Sequence, residues 1–174
     1  MGARIPFKKV ILFTGIIFTD RKILESVKKE LIKKFSKIDI ESEIIDFNFT
    51  SYYFSEMGSP LFRQFVSFNE LLDPELLPEI KKFTNSMEEK FSKNGKRLVN
   101  LDPGYISDAN VIIATTKNHY HRVPLSDGIY AHIEYVFKAK RIKCLEWTYP
   151  DFKSDEYKKF FLKSFLRYKE LIKK

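Results

Sequence analysis

Residues 10–18 read "VILFTGIIF", a run whose one polar side chain is Thr14, and its reading decides the fold. With Lys8 and Lys9 ahead of it, the run has the charged and apolar regions of a signal peptide. No small-residue cleavage site follows, however, and "TDRK" at 19–22 starts a helix at once. The run is also too short to cross a bilayer. It therefore reads as a buried β-strand opening a folded domain, with no membrane partner.

Working outward, Ile23, Leu24, Val27, Leu31 and Phe35 recur at helical spacing, and Lys28, Lys29, Lys33 and Lys34 take the solvent side. "IDIESEIIDFNF" (38–49) alternates as a second strand, and "LFRQFVSF" (61–68) reads as a third. Asp73-Pro74 signals a helix start, with Ile80, Phe83, Met87 and Phe91 as the buried stripe. "LVNLDPGYI" (98–106) is a strand running into a Pro-Gly turn, and "NVIIATT" (110–116) is another buried strand. Segments 119–125 and 129–137 look like a hairpin joined at Ser126-Asp127-Gly128. After "RIKCLEW" (141–147), Ser154 caps a final helix with an aromatic side. This order predicts a single α+β domain over 1–174: a ferredoxin-like split βαβ core, extended by a β-hairpin and a C-terminal helix.

Composition narrows the function classes. Hydrophobic residues at 44% and charged residues at 31% are globular proportions. Thirty-one Lys and Arg against 23 acids give a net charge of +8, which favours anionic partners. The lone cysteine, Cys144, excludes an internal disulfide and a CxxC metal motif, and fits a cytoplasmic setting. Abundant lysine and glutamate, with glutamine only at Gln64, lean toward a heat-adapted source. There is no GxxxxGK[ST] loop and no GxGxxG, so a P-loop hydrolase and an ordinary dinucleotide fold are excluded.

All three histidines, His119, His121 and His132, fall within "NHYHRVPLSDGIYAH" (118–132). In a hairpin, His119 and His121 share one face and can supply two imidazoles to a metal, while His132 faces the other way. Lys117, His121 and Arg122 directly follow a strand and offer an anion site, joined by Arg63 from an otherwise apolar strand. Asn100 and Asp102 alternate onto one face before the Pro-Gly pair; such an Asp binds a metal, acts as a base or braces the turn. Lys81, Asn85 and Glu88 form a polar stripe that is either a solvated helix flank or a cleft wall.

The motifs "FTSYYFSEMG", "RQFVSF", "IKKFTNSMEEKF", "VNLDPGYI", "ATTKNHYHR", "DGIYAHIEY" and "WTYPD", in that order, resemble the bacterial domain-of-unknown-function family 4416. The resemblance carries no established activity, although some members bear a GTP-binding label. It implies that Tyr53, Glu56, Gly58, Arg63, Asn85, Asn100, Asp102, Gly104, Lys117, His121, Arg122, Tyr130, Trp147 and Asp151 belong to the family pattern. That pattern has an acid at position 132, where this chain carries His, which implies either that His132 changes the chemistry of the site or that Glu134 replaces the acid.

Together these readings predict a cleft for a phosphorylated or carboxylated small molecule, a nucleotide among the candidates. Ligand-binding candidates are Arg63, Asn100, Lys117, His121, Arg122 and Tyr130. Asp102, Glu56 and His121 are candidates for proton transfer, and a divalent metal such as magnesium is a candidate cofactor. The alternatives are an RNA-binding module, with Tyr52, Tyr53, Phe65 and Phe68 stacking bases, or a protein-interaction subunit.

Overall fold

The computed structural model describes residues 2–173. In chain order the elements begin β1 (Val10–Phe18), α1 (Arg21–Lys34), β2 (Ile38–Glu41), β3 (Ile45–Asp46), α2 (Phe54–Met57) and β4 (Phe62–Leu72). A 3-10 turn at Pro74–Leu76 leads into α3 (Leu77–Lys90), then β5 (Ser92–Lys93), β6 (Lys96–Arg97), β7 (Val99–Ile106) and β8 (Asn110–Thr115). The chain ends with β9 (Val123–Pro124), β10 (Tyr130–Lys138), β11 (Arg141–Cys144), a 3-10 turn at Asp151–Lys153 and α4 (Asp155–Leu171).

The main sheet runs β11-β10-β8-β7-β1-β4-β2, and every pairing in it is antiparallel. Within it, β7-β1-β4-β2 with α1 and α3 is the split βαβ arrangement: each helix returns the chain to a strand one place beyond its neighbour. β8, β10 and β11 extend that core at the β7 edge.

Alternation along β1 explains why a nearly all-apolar strand is needed. Leu12, Ile16 and Phe18 pack against Leu24, Val27 and Leu31 of α1 and Ile80 and Met87 of α3. Ile11 and Phe13 face the opposite layer, where α4 brings Phe160, Phe161, Phe165 and Tyr168. A sheet covered on both faces reads as continuous hydrophobicity. Phe65 and Phe68 are accordingly 0% and 1% exposed, so neither is a platform for a base. Among the described residues, no helix is long and apolar enough to cross a membrane.

Three local expectations are corrected. The stretch 38–49 is not one strand but β2 and β3, both paired to β4, with Phe47 buried beyond them. Pro103 and Gly104 do not turn; they continue β7 opposite Thr14 and Phe13. A Cβ on Gly104 would sit 2.2 Å from the Ile112 carbonyl oxygen and 2.6 Å from the Phe13 ring, so glycine serves close packing there. Finally, the hairpin pairs Tyr130 with Pro124 and Ala131 with Val123 across residues 125–129, but its first strand is only β9. Residues 119–122 form a turn instead, closed by the Arg122 N–H to the His119 carbonyl at 3.0 Å.

Candidate functional site

The β7–β8 ladder stops at Gly104–Ile113, next to Pro103, which has no N–H to extend it. Beyond that point the two strands part, and a cavity of about 670 Å³ opens between them. Asn100 and Asp102 line it from β7, and Ile113 through Lys117 from the end of β8. α3 contributes Lys81, Asn85 and Glu88, which settles that polar stripe as a cleft wall. Phe47, Phe49, Tyr52 and Tyr53 close one side and Tyr149–Phe152 another. A smaller cavity of about 280 Å³ near Leu12, Phe35 and Phe83 is apolar at its base and holds no comparable set of converging polar groups.

Arg63 anchors the cleft floor. It is 3% exposed, with Nη1 3.0 Å from Asp151 Oδ2 and Nη2 3.0 Å from Asp102 Oδ2. The rings of Phe65, Phe152, Tyr157 and Phe47 surround its guanidinium at 4.8 to 5.6 Å. Gly15 makes room for it: a Cβ there would lie 2.7 Å from Nη2. Burial pushes the Asp151 carboxyl above its ordinary range, against the pull of Arg63. Arg63 is thus occupied by two carboxylates and not by a free anion.

A second network ties α3 to β7. Arg97 grips both oxygens of Glu56 at 2.6 and 2.7 Å, and its Nη1 donates to Glu88 at 2.7 Å and to Asn100 Oδ1 at 3.1 Å. The hydrogen bond to Arg97 holds the Glu56 carboxyl below its usual range. Glu88 accepts the Leu101 N–H at 2.6 Å, while Lys81 donates to the Leu101 carbonyl at 2.8 Å. Burial pushes the Glu88 carboxyl up, opposed by Lys81. Glu56 therefore sits in an ion pair outside the cleft lining.

Several N–H donors on the lining residues lack a partner. Asn100 Nδ2 and Arg63 Nε are buried with no hydrogen-bond partner among the described residues. Lys117 Nζ lies 4.2 Å from the centre of the Tyr52 ring and makes no salt bridge among the described residues. Each of these groups is an N–H donor on a lining residue.

The histidines form a separate cluster behind the Tyr149 wall. His119 Nδ1 lies 2.9 Å from His121 Nδ1, and His121 Nε2 lies 3.0 Å from His132 Nδ1. His132 Nε2 is 2.7 Å from Glu134 Oε2, and Glu134 Oε1 accepts the Tyr149 N–H at 2.7 Å. His121 stacks on Trp147 and His132 on Tyr149, with interplanar angles of 9° and 11°. His132 does not face away from the pair, because the turn at 119–122 swings His121 back over β10. Burial pushes Glu134 up to about 8 and His132 down to about 4.

Arg122 connects this cluster to the cleft. Its Nη1 donates to the Lys117 carbonyl at 2.7 Å, its Nη2 to the Tyr149 hydroxyl at 2.6 Å, and its Nε to His132 Nδ1 at 3.3 Å. Neither His121 nor Arg122 lines the cavity itself, and Tyr130 stands outside it at the start of β10, opposite Thr115. Among the described residues, no group of three or more His, Cys, Asp or Glu side chains is placed to hold a metal. Sequence reasoning missed Arg97 and Tyr149. Arg97 follows "KNGK" as an ordinary surface basic residue would, and nothing local marks either one.

No curated protein and no solved structure matches the chain. The family model described as Domain of unknown function (DUF4416) matches residues 8–168, nearly the whole length, and the chain belongs to that family.

Proposed function

We propose that this protein binds a small anionic molecule, phosphorylated or carboxylated, in the cleft between β7 and β8. One observation carries the reading: two groups on the lining, Asn100 Nδ2 and Lys117 Nζ, are N–H donors with no acceptor. A buried donor left unpaired costs roughly 1–3 kcal/mol, and an anion's oxygens recover it. The cations and carboxylates elsewhere on the lining neutralise one another, so Lys117 supplies the net charge that selects an anion. Phe49 and Tyr52, 45% and 60% exposed, offer rings to an aromatic part of the ligand, which keeps nucleotides among the candidates without a P-loop.

The test is a thermal-shift panel of nucleotides, phosphorylated metabolites and carboxylates, with and without magnesium. A ligand at about a hundred times its Kd adds about 2.7 kcal/mol, a rise of roughly 5–10 °C for a chain of this size. The expected result is a selective rise that Lys117→Ala abolishes. A flat response across the panel, or a rise indifferent to Lys117→Ala, overturns the reading.

A further inference from the structure

We propose that His119, His121 and His132 form a proton relay that carries a solvent proton to the buried carboxylate of Glu134. The inference goes beyond the cleft and does not depend on what binds there.

The geometry sets the order of the chain. Glu134 and His132 are each 0% exposed, His121 is half-buried and His119 is exposed, so the four groups descend from solvent to interior. Each link joins two nitrogens, or a nitrogen and an oxygen, at 2.7 to 3.0 Å. Both nitrogens of His121 and of His132 are engaged, one on each side, as a through-going relay requires. The two inner rings are also fixed in plane by stacking on Trp147 and Tyr149.

Arg122 sets the direction. Its Nε–H can only donate, so the His132 Nδ1 it faces at 3.3 Å holds a lone pair. His132 then carries its proton on Nε2 and donates to Glu134. His121 likewise donates from Nε2 to His132, and His119 donates from Nδ1 to His121. In this state Glu134 is ionised and accepts from both His132 and the Tyr149 N–H.

A proton arriving at His119 Nε2 reverses every link. The Nδ1 proton of His119 passes to His121 Nδ1, the Nε2 proton of His121 to His132 Nδ1, and the Nε2 proton of His132 to Glu134 Oε2. One proton enters, the carboxylate becomes a carboxyl, and all three rings end neutral in the opposite tautomer. No ring is charged at rest, which suits rings packed beside Arg122. The groups that face the pair at the inner end are Arg122 from the loop, Tyr149 and Asp151 from the segment before α4, Arg63 from β4 and Tyr135 from β10. Burial, which favours the neutral carboxyl, is what lets the loaded state form near neutral pH. In that state His132 Nδ1 donates back to His121 Nε2 and no longer accepts from Arg122 Nε, so the guanidinium that holds Lys117 and Tyr149 registers whether the relay is loaded.

The experiment is ¹⁵N NMR of the histidine rings in the full chain, between pH 6 and 9.5, with ¹³C detection of the Glu134 carboxyl. The expected result is one shared midpoint near the titration of Glu134: above it His121 and His132 carry protons on Nε2, and below it on Nδ1. His121→Phe, which keeps an aromatic ring on Trp147, should slow proton exchange at His132 at least tenfold while the amide spectrum stays folded. A tautomer that does not change while Glu134 titrates overturns the relay. So does a pair of bare nitrogens at the His121–His132 link, the pattern of a metal-bound site, or unchanged exchange in His121→Phe.

Discussion

Arg63 and Asp151, 88 residues apart in the chain, meet at 3.0 Å in the floor of the cleft. That contact joins β4 to the turn before α4, and Asp102 on the other nitrogen joins both to β7. Arg63 is therefore a structural cation that shapes the site from beneath. Removing it should leave Asp151, 8% exposed, buried beside a second carboxylate with no counter-charge. The expected cost of Arg63→Met is about 3–5 kcal/mol, the usual cost of breaking a buried pair from one side. Urea denaturation checks it. Adding Asp151→Asn to that variant should restore part of the loss, and a strictly additive second loss would contradict the pairing.

Gly104 makes a different demand. A Cβ added there would meet the Ile112 carbonyl oxygen at 2.2 Å, and a strand carbonyl cannot swing aside. Gly104→Ala should therefore push β7 away from β8 and cost about 3 kcal/mol, at the upper end for overpacked cores. Gly15→Ala should cost less in stability, since its nearest contacts are longer and fall on side chains, Arg63 Nη2 at 2.7 Å and the Phe65 ring at 2.9 Å. Paired denaturation curves rank the two; the reverse order would place the tight contact elsewhere.

The Glu134–His132 pair gives stability a pH dependence. Glu134 rises from an ordinary 4.5 to about 8, so between those values the folded state holds a proton that the unfolded chain has released. Its contribution to stability falls as pH rises through that window. His132 drops from 6.5 to about 4, so its contribution grows with pH between 4 and 6.5. The two slopes cancel from about 4.5 to 6.5, and Glu134 alone acts above that. The pair should cost the fold about 2 kcal/mol between pH 6.5 and 8. Glu134→Gln should flatten that decline in urea unfolding series; an undiminished decline would assign it to other groups.

The fold was legible because its signals are local. β1, α1, β4 and α3 announce themselves through apolar runs or helical spacing, and their order alone implies the split βαβ core. The cleft was only partly legible. Asn100, Asp102 and Lys117 were readable from strand alternation and from their place at a strand end, and all three line the cavity. Pro103-Gly104 misled, because the same dipeptide that marks a turn can end a ladder or admit a close neighbour. His132 misled for a related reason: hairpin parity holds only while the chain stays extended, and at 119–122 it turns. The roles of Arg63, Arg97 and Tyr149 come chiefly from partners between 27 and 88 residues away, a relation that no local spacing records.

Arg122 serves the cleft without lining it. Its Nη1 and Nη2 hold the Lys117 carbonyl and the Tyr149 hydroxyl together, two lining residues from separate segments of the chain. A planar fork spans two acceptors at once, and a single ammonium does not reproduce that geometry. Arg122→Lys should thus keep the charge yet weaken ligand binding about tenfold, equivalent to about 1.4 kcal/mol. Lys117→Ala should weaken binding by at least as much while changing stability by no more than about 0.5 kcal/mol, since its side chain is exposed. If Arg122 acts by placing Lys117, the double variant should bind little worse than Lys117→Ala alone. Calorimetric titration of the four proteins with a ligand from the thermal-shift panel makes the measurement. Fully additive losses would mean that Arg122 contacts the ligand directly, and that the relay behind it has no route to the cleft through this side chain.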